Sequence, residues 1–299
     1  MENRMFTNSH ILAWLQYYDA NTQIDLEKVK ILDITRKNKN LIPTIESHGS
    51  VMVFTEAGHP DIFYKMWDAG LGECDVWYNE GSDPSGPIKH DKLKDMINRG
   101  INASAAMLIF NPNANATYKI GMRNSNFSRG SIHYVCSEIR AVILNKMHLA
   151  QSDTICTISA ASIAVESAIL APEGTVIAVE YNSSDRHTLE ENVHQFGLNN
   201  VSIIDRVSDE TMQGLPVPSL CMLVASEHTE EEIACLLKKN PHMEFVIYTL
   251  DFGYAAAIPA LFERYGIGEA EIIQIAVSKL TAKNTFETEP APWLIYGRS

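Results

Sequence analysis

Apolar and polar positions along the first third of the chain set short β-rich runs against stretches of helical periodicity. Residues 29–34 and 51–55 read as strands, with Gly58-His59-Pro60 punctuating the turn after the second. The pattern then predicts a helix over 61–69, a strand over 74–78, a helix over 91–98 and a strand over 105–110. Strands alternating with helices point to a parallel sheet with covered faces. Between residues 111 and 130 the chain turns to Asn, Gly, Ser and Pro, as in Asn111-Pro112-Asn113-Ala114-Asn115 and Asn124-Ser125-Asn126. That composition predicts a junction between two domains, with 116–130 as its linker.

A second alternating series follows. Helices are predicted over 136–147, 164–170 and 185–196, and strands over 154–158, 175–180, 201–205, 220–224 and 245–249. Ser183 or Ser184 is the expected N-cap of the third helix, and Gly197 its stop. Glu230-Glu231-Glu232 reads as the first turn of another helix, and Gly253–Ala257 as small-residue helix packing. Two β-rich runs, 271–279 and 293–297, close the chain with only a polar stretch between them. Consecutive strands of that kind imply an antiparallel hairpin at a sheet edge. A doubly wound sheet ending in such a hairpin is the architecture of Rossmann-like methyltransferases, an analogy of fold alone.

Composition narrows the class. With 299 residues, 45% hydrophobic and 20% charged, the chain is long enough for about two globular cores. The formal charge of −13 excludes the electrostatic footprint of a nucleic-acid binder and disfavours an anionic membrane surface. Residues 155–170, the longest apolar stretch, are broken by Glu166, so no membrane span is expected. Cys74, Cys136, Cys156, Cys221 and Cys235 are dispersed, without a C-x-x-C pair or zinc spacing. They suggest reduced thiols in a cytoplasmic protein and no metal site. Glu2, Arg4, Asn8 and His10 interrupt the first residues, so no signal-peptide core is read there.

From Phe127 onward the sequence resembles the C15-methylating, decarboxylating domain of the precorrin-6Y C5,15-methyltransferase family of cobalamin biosynthesis. The resemblance runs through Ser137-Glu138-Ile139-Arg140-Ala141, Leu170-Ala171-Pro172-Glu173-Gly174, Val176-Ile177-Ala178-Val179-Glu180, Glu191-Asn192 and Phe196-Gly197-Leu198-Asn199-Asn200-Val201. It ends with Ile273-Gln274-Ile275-Ala276-Val277-Ser278. The first third looks like the C-terminal lobe of the fused C5-methylating domain, through Asn8-Ser9, residues 48–55 and His59-Pro60. The expected organisation is a truncated tetrapyrrole-methylase-like α/β domain over 1–115, the linker over 116–130, and a Rossmann-like class I methyltransferase domain over 131–299.

The resemblance implies methyl transfer from S-adenosylmethionine to C15 of a precorrin, coupled to decarboxylation. It also implies a corrinoid or other tetrapyrrole as the small-molecule partner, and a homo-oligomer, a tetramer in this family. The cofactor loop of such proteins is glycine-rich so that backbone can approach the ligand. Here it reads Thr157-Ile158-Ser159-Ala160-Ala161-Ser162-Ile163, with side chains where glycines would stand. Each such residue forced into a glycine conformation costs about 1–2 kcal/mol. Ser159, Ala160, Ala161, Ser162, Glu180, Asp205 and Ser208 are the cofactor-side candidates, with Glu180 at the place of the acid that receives ribose hydroxyls. Arg206-Val207-Ser208 and Val224-Ala225 also replace glycine positions of the family.

On the substrate side, residues 111–150 hold Lys119, Arg123, Arg129, Arg140 and Lys146 against Glu138 alone, a stretch of +4 in an acidic chain. Arg123, Arg129, Glu138 and Arg140 are therefore the candidate substrate residues, because arginine grips carboxylates bidentately. A solvated basic face is the competing reading. His59, His133, His187 and His194 show no clear partner in sequence and are expected as surface or capping histidines rather than bases. Two functions follow: the methyltransferase itself, or a non-catalytic descendant that binds a tetrapyrrole or a partner subunit.

Overall fold

The computed structural model describes residues 8–35, 39–55, 61–97, 99, 101, 105–115 and 120–299. Predictions at Gly58-His59-Pro60 and Lys119 lie outside the described residues. The chain divides into two compact units: Met1–Tyr118 with Gln195–Asn199, and Lys119–His194 with Asn200–Ser299.

In the first unit the order is α1 (Asn8–Thr22), β1 (Val29–Asp33), α2 (Leu41–Ser47), β2 (Ser50–Phe54) and α3 (Asp61–Asp68), then β3 (Asp75–Tyr78), β4 (Lys89–Lys92), α4 (Leu93–Met96) and β5 (Ala106–Phe110). The sheet runs β1-β2-β5-β3-β4. Trp14 and Tyr18 of α1 pack with Met52, Phe54 and Leu108 in one core cluster. A second, larger cluster joins Ile42 and Ile45 of α2, Phe63 and Met66 of α3, and Val51 and Val53. Sheet residues of one strand serve both clusters because strand side chains alternate faces.

The expected parallel sheet is corrected here. Only β1 and β2 run parallel; β2–β5, β5–β3 and β3–β4 are antiparallel. The helix predicted over 91–98 starts as strand, since Asp91 pairs with Val76 and His90 with Trp77. Helical turns begin only where Leu93 and Met96 supply the buried face.

The second unit is α5 (Ser137–Lys146), β6 (Thr154–Ile158), α6 (Ala161–Leu170), β7 (Thr175–Val179), α7 (Ser183–Gln195), β8 (Val201–Ile204) and β9 (Leu220–Val224). It continues with α8 (Thr229–Lys239), β10 (Glu244–Thr249), α9 (Phe252–Arg264), β11 (Gly268–Gln274), β12 (Ser278–Leu280), β13 (Phe286–Thr288) and β14 (Trp293–Arg298). Its seven-stranded sheet is ordered β11-β14-β10-β9-β6-β7-β8. Strands β10, β9, β6, β7 and β8 are parallel, and every position of β7 is buried, as a strand covered on both faces requires. The antiparallel edge expected at the C-terminus is present as β11–β14, with β14 also antiparallel to β10. The run expected over 271–279 divides between β11 and β12, and β13, which pairs with β12, lay in the stretch read as merely polar.

Two local expectations change. Neither serine caps α7 from outside; the Asn182 Oδ1 accepts the Ser184 N–H at 2.8 Å. Residues 120–130, expected within a linker, are built into the second unit. Met122 and Phe127 are buried, and the amides of Gly121 and Met122 both donate to Glu166 at 2.6 and 3.0 Å. Polar composition there reflects backbone that satisfies its hydrogen bonds on side chains rather than in a ladder. Among the described residues no helix is long and apolar enough to cross a membrane.

Candidate cofactor and substrate crevice

In an open α/β sheet, ligands sit beyond the carboxyl ends of the strands, where strand order reverses. That switch falls at β6, which has β7 on one side and β9 on the other. The chain leaves β6 through Ser159, whose N–H donates to the Val179 carbonyl at 2.9 Å. Ser159 stands at φ +52°, the left-handed region that glycine occupies without cost. Ala160 follows as the N-cap of α6, with no side chain able to accept from the helix amides.

Glu180, directly after β7, has the backbone N–H groups of Ala160 and Ala161 near its carboxyl. The residue is 6% exposed, and burial, reinforced by Asp185, pushes its carboxyl up to about 7 against the lowering effect of those two amides. Ala160, Ala161 and Ser162 are themselves 5%, 3% and 2% exposed. The structure thus brings Glu180 and the loop to the carboxyl ends of neighbouring strands.

Asp205 and Ser208 go elsewhere. Asp205 is partly exposed and accepts from Arg206 at 3.1 Å, which holds its carboxyl below the usual range. Ser208 is locked in a turn with Thr211 through reciprocal bonds of 3.1 Å. Arg186 of α7, not singled out in the sequence, donates to the carbonyls of Glu180 and Tyr181 at 2.8 and 2.9 Å. At the floor, the Thr157 Oγ1 is buried without a partner.

The candidate substrate residues separate by burial. Arg140, expected to grip a carboxylate, is fully buried and belongs to the interior. Its Nε meets Glu166 at 2.5 Å, its Nη1 donates to Val135 O at 2.6 Å and Asn124 Oδ1 at 3.1 Å, and its Nη2 donates to Met122 O. The guanidinium also lies 5.0 Å from the centre of the Phe127 ring. The side chain is wholly enclosed by protein. Arg123 and Arg129 are exposed, and Lys146 pairs with Glu271 at 2.6 Å.

Glu138 gathers donors rather than repelling them. One of its oxygens accepts from Cys136 Sγ and Ser137 Oγ at 2.8 Å and from Lys279 Nζ at 2.9 Å. Those bonds, with Cys136 first and Lys279 next, depress the carboxyl to about 2. Lys279 comes from β12, far along the chain, and only the fold could reveal it. The same is true of Tyr181, whose phenol donates to the buried Glu232 and whose ring stacks on His228 at 5.4 Å. His187 lies at the surface beside Glu190 and Glu191, as a solvated helix face would have it.

This sheet order, with a reversed final strand and an acid at the end of the second parallel strand after the switch loop, defines a class I methyltransferase fold. A family described as the precorrin methyltransferase domain matches residues 133–289, just over half of the chain, and the chain belongs to that family. No curated protein matches. Among solved structures, a precorrin-6Y C5,15-methyltransferase from Geobacter metallireducens GS-15 aligns at 22% identity and TM-score 0.55, over 60% of this chain and 96% of its own. A precorrin-8W decarboxylase from Methanobacterium thermoautotrophicum aligns at 17% identity and TM-score 0.51, over 58% and 97%. The C-terminal domain of precorrin-6Y C5,15-methyltransferase from Rhodobacter capsulatus gives 17% and 0.51, over 61% and 100%. At these identities the likeness is one of fold.

Such a family implies S-adenosylmethionine-dependent chemistry in general. At the strand ends of this chain Ser159 takes a positive φ, Ala160, Ala161 and Ser162 are buried, and Glu180 is 6% exposed.

Proposed function

We propose that the chain is a tetrapyrrole-binding member of the precorrin methyltransferase family that serves cobalamin biosynthesis without itself transferring a methyl group. The switch loop carries this reading: Ser159 is held at φ +52°, and the buried side chains of Ala160, Ala161 and Ser162 take up space that bare backbone would leave to a nucleoside. The rim of the same strand ends stays open. Tyr181, Leu250, Phe252 and Tyr254 follow β7 and β10 and are exposed. Flat apolar rings suit the face of a macrocycle.

The reading extends to assembly and place. β11 is exposed at almost every position, and Leu280 and Phe286, paired across β12–β13, are 59% and 73% exposed. Uncovered edges of this kind favour a second copy of the chain, and a homo-oligomer is proposed on that ground. Five unbridged cysteines suit a cytoplasmic setting. The first unit is proposed to descend from a lobe of a C5-methylating tetrapyrrole methylase.

Uroporphyrin, as a carboxylated probe, is expected to bind with a shifted absorption band, while calorimetric titration with S-adenosylmethionine gives no heat. Absence of the porphyrin shift would overturn the binding reading. The retained carboxyl at the end of β7 favours one alternative, the decarboxylating precorrin-6Y methyltransferase. Transfer of labelled methyl from S-adenosylmethionine to a precorrin substrate would establish it.

A further inference from the structure

We infer that Cys136 and Lys279 form a peroxide-dependent modification site, where sulfur and side-chain nitrogen join as a reversible sulfenamide that ties the head of α5 to β12. The inference does not depend on what the crevice binds. Lys279 Nζ donates to Cys136 Sγ at 3.6 Å, and both groups also donate to the same Glu138 oxygen, at 2.9 and 2.8 Å. Ser137 Oγ donates to that oxygen as well, at 2.8 Å. One carboxylate therefore holds a thiol and an amine side by side, although they lie 143 residues apart in the chain. The side chains of Glu138 and Lys279 are 50% and 46% exposed, so a small polar oxidant reaches the cluster from solvent.

Oxidation of a thiol follows its access and its thiolate character. Cys74, Cys156 and Cys221 are buried, and burial pushes the Cys74 and Cys221 thiols up. Cys235 is partly exposed, but burial and the neighbouring Asp209 raise its thiol too. Cys136 is partly exposed at the N-cap of α5, and its side chain makes no capping bond to the helix amides. The helix dipole and the Lys279 ammonium both favour an anionic sulfur there. The Glu138 carboxylate works against that charge, and its own pairing with Lys279 offsets the effect.

The oxidant is hydrogen peroxide, one molecule per bridge. The Cys136 thiolate attacks one peroxide oxygen; an S–O bond forms, the O–O bond breaks, and the departing hydroxide takes a proton to become water. Sulfur is thereby oxidised by two electrons to a sulfenic acid, which condenses with a nearby nitrogen. Lys279, after giving one proton to solvent, attacks that sulfur through its nitrogen lone pair. An S–N bond forms, the S–O bond breaks, and the hydroxyl leaves as a second water with a further amine proton.

The test treats the full chain with a small excess of hydrogen peroxide, alkylates it with iodoacetamide, and digests it without reductant for tandem mass spectrometry. A linked pair of peptides carrying Cys136 and Lys279 is expected, about 2 Da lighter than the sum of the free peptides, and dithiothreitol should return both. Lys279 is exposed, so Lys279→Arg keeps the fold and the charge while removing the amine. In that variant the linked pair should vanish, and Cys136 sulfinic acid, heavier by about 32 Da, should rise several-fold. Oxygenated Cys136 without a linked pair in the wild type, in the amount seen for Lys279→Arg, would overturn the inference. So would a Cys136 still fully alkylated after peroxide, or one bonded to another cysteine.

Discussion

Ser159 shows what a single position can and cannot disclose. A serine at a family glycine is legible in the sequence, but its φ of +52° is a property of the fold. Glycine there relieves the strain at some cost in unfolded-chain entropy, so Ser159→Gly should stabilise the second unit by about 0.5–1 kcal/mol in urea unfolding. Arginine was legible in number and misleading in direction. The basic stretch marked Arg123, Arg129 and Arg140 alike, yet only the first two reach solvent. Nothing in the spacing separates an arginine that grips a ligand from one that grips its own chain. Replacing Arg123 and Arg129 by alanine should change stability by no more than about 0.5 kcal/mol. The same pair should weaken uroporphyrin binding, measured by absorbance titration; undiminished binding would remove them from the site.

Elements were readable where burial is continuous. β6, β7 and β9 are short apolar runs covered on both faces, and their bounds nearly coincide with the expected ones. β4 and β13 were not, because they are brief, polar edge strands without an alternating signal. The join between α5 and α6 was also hidden. Glu166 sits in the middle of an apolar helix and looked like an interruption, whereas it binds Arg140 of α5 and the amides of Gly121 and Met122 at once. Arg140→Met alone should cost about 3–5 kcal/mol, since it strands a buried carboxylate. The double change with Glu166→Met should not recover the loss, because two backbone donors and the Met122 carbonyl then stay unpaired at about 1–3 kcal/mol each. Full recovery in chemical unfolding would show that the amide contacts contribute nothing.

At the scale of the molecule, the sequence disclosed the doubly wound series and the reversed edge, but not the mixed sheet of the first unit. The strands there alternate with helices, and alternation alone does not fix whether a neighbour runs parallel. Nor did it disclose how much apolar surface the far edge leaves in water. Phe286, at 73% exposure opposite Leu280, has no reason to remain uncovered in an isolated copy. Light scattering after size exclusion should give a mass above one chain for the wild type. The paired change Leu280→Ser with Phe286→Ser should reduce it toward the monomer; a monomeric wild type would dispose of the assembly.

The knot around Glu166 also decides where this molecule can be cut. A gene fragment opening at residue 131, the start that composition recommends, discards Gly121, Met122, Asn124 and Phe127. It would leave a guanidinium and a carboxylate in an apolar interior with their former company gone. A fragment opening at 120 keeps that company intact. Expressed side by side, the longer piece should be recovered in soluble form and melt cooperatively, and the shorter one should aggregate.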